Sequence, residues 1–307
     1  VDNQSNIWVG THFDGAHLVR RKGSNDFSIS NYSNNPEKRN TLSNDRVLCI
    51  YEDRQGIIWI GTAENGLNKY DPSFRGFQKR SRLTSGTFGL KSDNVLSVIE
   101  HNGKVLIGTR GKGIVSMNKM TMEFEKPELV FNPLNDISVS SFCIDTKGIL
   151  WIGTWRGLYR LLPEKKEIEK IDGINIVVYD IAEDDWGNIW IGTRLGLRML
   201  SMLPDHAITV VKDQLLGNED HESRFIIRKL YNDPFDATLW VGTWHNGLIR
   251  LTDFKNINEP IAFKQYRKDS ENKYALKSDF VTSILRFSKN SIWIGTEGGG
   301  LARGVFS

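Results

Sequence analysis

The chain has 307 residues, 25% of them charged, and a formal net charge of +3. This balance excludes the strong basic field that nucleic-acid-binding proteins need, so we expect no nucleic acid among its partners. No apolar run approaches the roughly 20 residues of a membrane-spanning helix, and we expect no direct membrane insertion by this chain.

A five-residue phrase of the form Ile-Trp-Ile-Gly-Thr returns seven times along the chain, at residues 7–11, 58–62, 105–109, 150–154, 189–193, 239–243 and 292–296. The spacing of roughly 40 to 50 residues is the period of a four-stranded propeller blade. Because such a repeat buries its apolar faces only against its neighbours, we expect one domain over residues 1–307. The sequence therefore predicts an all-β fold, a seven-bladed β-propeller of four-stranded antiparallel blades.

The second repeat shows the predicted strands of one blade, a to d from the axis outward. Short runs of β-branched and aromatic residues at 46–53, 57–63, 67–71 and 77–81 alternate with turn residues. Further a strands are expected at 94–101, 138–145, 176–184, 224–233 and 280–288. The first repeat has only Val1 and Asp2 before its b strand, and the last stops after strand c. We expect incomplete first and last blades, in a fragment of a longer protein.

Tryptophan occupies the second position of the phrase in six of the seven copies. Both faces of a propeller blade pack on neighbours, so we expect Trp59, Trp151, Trp190, Trp240 and Trp293 to be buried, each with a partner for its indole N–H. The glycine of the phrase would let a side chain of the adjacent blade approach closely. An aspartate six residues before the tryptophan would bond the amides of the a-to-b turn, as at Asp2, Asp53, Asp145 and Asp184.

The two cysteines, Cys49 and Cys143, fall in a strands of non-adjacent predicted blades. That placement is too distant for a disulfide, and we expect two buried thiols. Isolated buried thiols are tolerated in oxidising and reducing compartments alike, so they do not indicate a location.

Catalytic and metal-binding signatures are scarce. The six histidines show no zinc-ligand spacing, and the sequence has no nucleophile elbow, no phosphate-binding glycine loop before a helix and no calcium loop. We therefore expect a chain that is not an enzyme and that uses no cofactor and no metal.

The variable positions of the repeat point to a binding site. Directly after the Gly-Thr of strand b, in the b-to-c turn, the seven copies carry His12, Ala63, Arg110, Trp155, Arg194, Trp244 and Glu297. A position that varies within a fixed template is released from the demands of the fold. With the neighbouring positions, the predicted ligand-binding residues are Arg110, Trp155, Arg156, Arg194, Trp244, His245, His12, Glu64 and Glu297.

These residue types suit a sugar. Arg110, Trp155, Arg194 and Trp244 of blades three to six would form an arc around one half of the axial mouth. Aromatic rings stack on sugar rings, and arginine binds carboxylate or sulfate with two parallel hydrogen bonds, so the arc favours an oligosaccharide, acidic ones included. Two alternatives stay open. The side chains would merely pack across the mouth of the ring or lie solvated, or they would contact another protein.

Three segments resemble the two-component regulator propeller repeat. Residues 41–71, 89–114 and 275–301 combine a serine-containing turn, Asn or Asp near a valine, the Trp-Ile-Gly-Thr phrase or its variant, and a following glycine. The resemblance implies the periplasmic sensor portion of a hybrid two-component histidine kinase of Gram-negative bacteria, which senses polysaccharide breakdown products.

The same resemblance implies partners within a longer, homodimeric parent protein, namely a second propeller, an immunoglobulin-like module, a membrane span, a kinase and a response regulator. No binding residue of the family maps onto this chain, because its motif residues are scaffold. Two other classes compete with the sensor: a carbohydrate-active lyase or hydrolase propeller, and a protein-interaction propeller.

Overall fold

The computed structural model describes the chain except for residues 24–25, 85–87, 127, 166, 203–207, 213–224, 253, 255–261 and 307. The described residues form seven antiparallel β-sheets, which confirms the all-β prediction and the number of repeats. Only two short 3-10 helices occur among them, at Arg82–Thr84 and Leu129–Leu134. No helix among the described residues is long and apolar enough to cross a membrane.

The chain divides into two compact units, Val1–Phe142 with Lys166–Ile168, and Cys143–Lys165 with Glu169–Ser307. Three sheets lie entirely within the first unit. Sheet 1 is β1 (Ile7–Gly10), β2 (Ala16–Arg21) and β3 (Phe27–Tyr32); sheet 2 is β4 (Val47–Glu52), β5 (Ile58–Thr62), β6 (Leu67–Asp71) and β7 (Phe74–Arg80); sheet 3 is β8 (Val95–His101), β9 (Lys104–Thr109) and β10 (Gly113–Asn118).

The unit boundary falls within β11 (Val139–Ile144), the first strand of sheet 4. The rest of sheet 4 is β12 (Leu150–Thr154), β13 (Gly157–Leu161) and β14 (Glu169–Lys170); sheet 5 is β15 (Val178–Glu183), β16 (Ile189–Thr193), β17 (Gly196–Met202) and β18 (Ile208–Lys212); sheet 6 is β19 (Ile227–Asn232), β20 (Leu239–Thr243), β21 (Leu248–Thr252) and β22 (Ala262–Tyr266); sheet 7 is β23 (Val281–Ser288), β24 (Ser291–Thr296) and β25 (Gly300–Val305). That both units together make one closed domain stays a prediction.

The predicted a strands are confirmed as the first strands of sheets 2 to 7, each beginning one to three residues later than predicted. The predicted start of the sixth, Arg224, lies outside the described residues. Sheets 1 and 7 have three strands, as expected, and lack the a and d strand, respectively.

The prediction of four strands is wrong for sheet 3. After β10 the described chain forms one isolated bridge, Met117 to Phe124, and then the 3-10 helix Leu129–Leu134. Pro133 has no N–H to donate to a ladder, and Phe131 and Leu134 of the helix are buried. Apolar burial by a helical turn therefore replaces the fourth strand.

The tryptophans of the phrase form the centre of the packing between consecutive sheets of a unit. Four of them are buried as predicted, with Trp59, Trp151 and Trp190 0% and Trp240 1% exposed. Each lies among the apolar residues of its own and the following sheet, such as Val95 and Ile107 around Trp59. The prediction is wrong for Trp293, which is half-buried, because sheet 7 has no following sheet in its unit.

The aspartate of the a-to-b turn has two roles. One carboxylate oxygen accepts turn amides, as predicted; Asp145, for example, accepts the N–H of Lys147 and of Ile149. The other oxygen accepts the indole N–H of the tryptophan, and this bond supplies the partner that was expected for that N–H. The bonds are Trp8 to Asp2 at 3.1 Å, Trp59 to Asp53 at 3.0 Å, Trp151 to Asp145 at 2.8 Å, Trp190 to Asp184 at 2.8 Å and Trp240 to Asp233 at 2.9 Å.

The glycine of the phrase is required by the next sheet. A Cβ atom on Gly192 would lie 2.8 Å from Cγ2 of Ile227, and one on Gly242 would lie 2.8 Å from Cγ1 of Val281. Both contacts are shorter than van der Waals packing allows, which confirms the predicted close approach. The phrase is therefore scaffold: tryptophan fills the space between sheets and glycine lets them meet.

Neither Cys49 nor Cys143 forms a disulfide, as predicted, and both are only partly buried, so the prediction of buried thiols is wrong in degree. Burial still dominates the chemistry of Cys143. It raises the pKa of the Cys143 thiol to about 12, and the carboxylate of Asp180 adds to the effect.

We expect Cys143 to be unreactive in the native chain. Since the thiolate is the nucleophile, native Cys143 at about pH 8 should react with a disulfide reagent at least on the order of 100-fold more slowly than in the urea-unfolded chain, where its pKa returns to about 8.5. The rates are measured on Cys49→Ser, in which Cys143 is the remaining thiol. Equal rates in the two states would contradict this expectation.

Candidate functional site

The threonine of the phrase holds the turn that follows it, here called the bc turn. In all seven sheets its hydroxyl donates to a glycine carbonyl across the turn, with distances of 2.7 to 3.0 Å, for Thr11, Thr62, Thr109, Thr154, Thr193, Thr243 and Thr296. The backbone of the following residue is fixed as well. The N–H of Trp244 donates to the carbonyl of Ile226 at 2.9 Å, just before strand β19. The backbone at this position is therefore constant while its side chain can vary.

The predicted site residues occupy these turns in both units. In the first unit, Arg110 and Glu64 are exposed and His12 is half-buried; in the second, Trp244 is half-buried and the others are exposed, namely Trp155, Arg156, Arg194, His245 and Glu297. The structure brings Trp244 and His245 together, with ring centroids 6.0 Å apart and an angle of 18° between planes. The arc from Arg110 to Trp244 includes both units and stays a prediction.

Five residues of sheets 5 to 7 form a group of aromatic and basic side chains, here called the turn cluster: Tyr179, Arg228, Trp244, His245 and Phe280. The guanidinium carbon of Arg228 lies 4.4 Å from the ring centroid of Tyr179 and 4.9 Å from that of Trp244. Phe280 meets His245 edge to face at 4.4 Å and Trp244 at 6.4 Å. Arg228 is exposed, whereas Tyr179, Trp244 and Phe280 are half-buried.

Register shifts in two strands determine the direction of the Tyr179 and Arg228 side chains. The register of β15 with β16 shifts between Val178 and Asp180, and that of β19 with β20 shifts between Ile227 and Lys229. Tyr179 and Arg228 are therefore the extra residues of two β-bulges, which turn side chains out of the regular alternation. Phe280 immediately precedes β23, and its carbonyl accepts the N–H of Glu297 in the bc turn of sheet 7 at 2.9 Å.

The charge of the cluster is positive. The nearest acidic neighbour along β15, Asp180, is already satisfied, because it accepts Nζ of Lys229 at 2.8 Å and the N–H of Leu230 at 2.9 Å. No carboxylate of the described residues lies within ion-pair distance of Arg228. Two aromatic faces hold this guanidinium by cation–π contacts and leave its N–H groups for an anion.

Sequence comparison of the bc turns missed Tyr179, Arg228 and Phe280. A signal was present at the second residue of the first strand, where sheets 2 to 7 carry Leu48, Leu96, Ser140, Tyr179, Arg228 and Thr282. This position also varies within the template, and it lies at the same end of the sheet as the bc turn because Val178 pairs with Thr193.

A separate small cavity of about 250 Å³ lies beside His12 in the first unit, and Glu64 is not among its lining residues. Its polar groups largely satisfy one another. The side-chain amide of Asn34 donates to the carbonyls of Leu42 and Ser43, and its N–H donates to Asp45. We read this cavity as loop packing. No group of metal-ligating side chains occurs in the part of the chain that the structure describes.

A family model described as two-component regulator propeller matches residues 41–64, 133–156 and 172–194. These segments contain the second, fourth and fifth copies of the five-residue phrase. Among curated proteins, the chain is similar to histidine kinase P4 of Formosa agariphila, with 28% identity over 188 residues that cover 58% of this chain and 12% of the relative.

Two solved structures share the fold. The extracellular domain of a protein assigned as a hybrid two-component system of B. thetaiotaomicron has a TM-score of 0.76 and 24% identity, covering 98% of this chain and 38% of that one. Virginiamycin B lyase from Staphylococcus aureus has a TM-score of 0.70 and 15% identity, covering 100% of this chain and 93% of that one. The chain thus spans 12% of the curated relative and 38% of the extracellular domain from B. thetaiotaomicron.

Proposed function

We propose that this chain is an extracytoplasmic ligand-sensing part of a hybrid two-component system, because three of its segments match the two-component regulator propeller model. It binds an oligosaccharide that carries carboxylate or sulfate groups, and it passes the signal to a histidine kinase in the same polypeptide. The extracellular domain of a hybrid two-component system and the histidine kinase that the chain resembles support this assignment. A periplasmic location, a second propeller, an immunoglobulin-like module and a homodimeric parent belong to the same proposal.

The observation that carries the ligand proposal is the turn cluster. Trp244 and His245 present nearly parallel rings, which suit the flat face of a sugar ring, and Arg228 presents a guanidinium beside them. A carboxylate or sulfate on the sugar would meet N–H groups that no described carboxylate occupies. Trp155 and Arg194, exposed in the bc turns of sheets 4 and 5, extend the binding surface along the same unit.

The chain itself is non-catalytic in this proposal, although a lyase shares its fold. A general base needs a group that orients it, and among the described residues no carboxylate lies within ion-pair distance of His245. The ring of His245 instead packs on Phe280 and Trp244.

The binding proposal predicts a loss of affinity in two variants. A thermal-shift screen of carboxylated, sulfated and neutral oligosaccharides identifies the tightest ligand, and calorimetry follows on that ligand. Trp244→Ala should weaken binding by about 1 to 3 kcal/mol, because a half-buried stacking ring is lost. Arg228→Gln should weaken the binding of acidic ligands more at low salt than at high salt, because the contact is ionic.

Trp186→Ala is the matched control, because Trp186 is 42% exposed but lies in the turn between β15 and β16, at the other end of sheet 5. Its affinity should equal that of the unmodified chain. Unchanged affinity in both Trp244→Ala and Arg228→Gln would contradict the site. If no acidic oligosaccharide in the screen binds, the proposed ligand class is wrong.

A further inference from the structure

An ion pair lies directly beside Arg228 of the turn cluster. Nζ of Lys229 lies 2.8 Å from a carboxylate oxygen of Asp180, and the two side chains are 38% and 11% exposed, respectively. Arg228 and Lys229 follow one another in β19, and the residues that they contact, Tyr179 and Asp180, follow one another in β15. The guanidinium and the ammonium are therefore neighbours at the boundary between sheets 5 and 6, at the end of the sheets that carries the bc turns.

The fold does not require charges at this position. Asp180 and Lys229 each lie opposite the glycine of the phrase in the paired strand. Sheets 2, 3 and 7 carry small side chains there, also opposite their glycines: Cys49, Ser97 and Ser283. The hydroxyl of Ser97 donates to the carbonyl of Val139 in the next sheet at 3.1 Å. Because a small side chain meets the demands of packing, the charges of sheets 5 and 6 need another explanation.

Lys229 retains hydrogen-bond donors for a ligand. An ammonium has three N–H groups, and one of them suffices for Asp180. Among the described residues Lys229 has no second ion-pair partner. The buried carboxylate of Asp180 also accepts the N–H of Leu230 at 2.9 Å, so the backbone fixes its position. Asp180 thus holds the ammonium in place, while part of the Lys229 side chain faces solvent.

We propose that the ligand of the turn cluster carries two acidic groups, of which Arg228 binds one and Lys229 binds the other. This inference rests on the proposed function, because it concerns the same site, and it narrows the ligand class to doubly acidic oligosaccharides. Consecutive Cα atoms are about 3.8 Å apart, so two cations anchored on consecutive residues of β15 lie close together. Their spacing suits acidic groups on one sugar ring or on two adjacent rings, with Trp244 stacked on the sugar.

Asp180 makes the second contact selective. Its carboxylate offsets the charge of Lys229, so the pair as a whole is neutral and exerts little attraction at a distance. A second acidic group gains only by a direct hydrogen bond from the ammonium, which is short-ranged and depends on where that group stands on the sugar. A ligand with one acidic group uses Arg228 and gains nothing from Lys229. The chain is therefore expected to prefer a doubly acidic ligand to a singly acidic one.

The probes are isomers of lactose that carry one sulfate group or two, and calorimetry compares the tightest isomer of each class. The unmodified chain should bind the disulfated form about tenfold more tightly, which is the gain from one charge-assisted hydrogen bond. The double variant Asp180→Asn, Lys229→Gln removes one charge of each sign and leaves the net charge unchanged. It should bind both forms as the unmodified chain binds the monosulfated one. Lys229→Arg keeps a cation and should keep the preference.

Glu100→Gln, Lys119→Gln is the matched control. Nζ of Lys119 lies 2.9 Å from Glu100, which also accepts the backbone N–H of Arg54, and Glu100 belongs to β8 of the first unit. This control should keep the preference for two sulfates. Three outcomes would overturn the inference and leave sugar binding by Arg228 and Trp244 intact: equal affinity of the unmodified chain for both forms, a preference that persists in the Asp180→Asn, Lys229→Gln variant, or a preference lost in the control.

A probe without sugar separates this inference from the proposed function. If no form of lactose binds, ethane-1,2-disulfonate and methanesulfonate are titrated against the indole N–H signal of Trp244 in nuclear magnetic resonance spectra, assigned by its loss in Trp244→Phe. In the unmodified chain the disulfonate should shift this signal at about tenfold lower concentration than the monosulfonate, and in the Asp180→Asn, Lys229→Gln variant at the same concentration. No shift, or equal concentrations in the unmodified chain, would overturn the inference.

Discussion

Replacing Trp151 by alanine is expected to lower the free energy of unfolding by about 3 to 5 kcal/mol. Its ring is 0% exposed and lies among Leu158 of its own sheet and Val178 and Ile181 of the next. Removing it leaves a cavity between two sheets that the strands cannot close without breaking their ladders. It also removes the indole N–H that Asp145 accepts at 2.8 Å, in a place where the aspartate is 5% exposed. Equilibrium unfolding in urea measures the loss.

Two further variants separate the effect of the cavity from that of the lost hydrogen bond and from that of removing an exposed tryptophan. Trp151→Phe keeps most of the apolar volume and removes the hydrogen bond, so its loss of stability should be smaller than that of alanine. Trp155→Ala deletes the same side chain four residues later, where it is 40% exposed in the bc turn, and should cost less than about 1 kcal/mol. Equal losses for Trp151→Ala and Trp155→Ala would contradict the burial argument.

The repeat made the scaffold predictable. Glycine in all seven copies of the phrase and tryptophan in six indicate a contact that the copies share. The structure shows this contact in the packing of Trp59, Trp151, Trp190 and Trp240 against the next sheet. The same logic identified the turn aspartates. The predictions were wrong where a sheet differs from the others. Sheet 3 has a 3-10 helix in place of the predicted fourth strand, and Trp293, which was predicted to be buried, lacks a following sheet in its unit.

The candidate site was predicted only in part, for a different reason. Comparison of the bc turns identified Trp244 and His245, because these residues vary at a position whose backbone is constant. It missed Arg228, which lies in the first strand and not in the bc turn. The position of Arg228 also varies among the repeats, but its place beside Trp244 depends on a bulge in the strand register, which the amino-acid pattern does not reveal.

Besides the packing of the tryptophans, a second kind of contact joins neighbouring sheets. It is made by the side chain five residues after the start of the first strand of a sheet. Glu52 accepts the N–H of Asn3, Glu100 that of Arg54 and Glu183 that of Thr146, each in the turn of the preceding sheet. In sheet 7 this position carries Arg286, and the turn of sheet 6 supplies carboxylates in place of amides. Arg286 pairs with Asp233 at 3.0 Å, where the side chains are 3% and 0% exposed, respectively.

We therefore expect Arg286→Met to destabilise the chain by about 3 to 5 kcal/mol, because it leaves the carboxylate of Asp233 buried without its cation. Asp233 still accepts the indole N–H of Trp240 at 2.9 Å, but a neutral donor does not balance a buried charge. Adding Asp233→Asn to Arg286→Met should restore part of the stability, since the asparagine oxygen can accept the same indole N–H without a charge.

Arg250→Met is the control for the loss of an arginine beside the same turn. Arg250 pairs with Asp236 at 2.7 Å, but the two side chains are 26% and 29% exposed, so water compensates for the lost partner. Its expected cost is about 1 kcal/mol or less. Urea unfolding of the three variants compares them on one scale. If Arg286→Met cost no more than Arg250→Met, or if Asp233→Asn deepened the loss in the double variant, the buried pair would not be what ties sheet 7 to sheet 6.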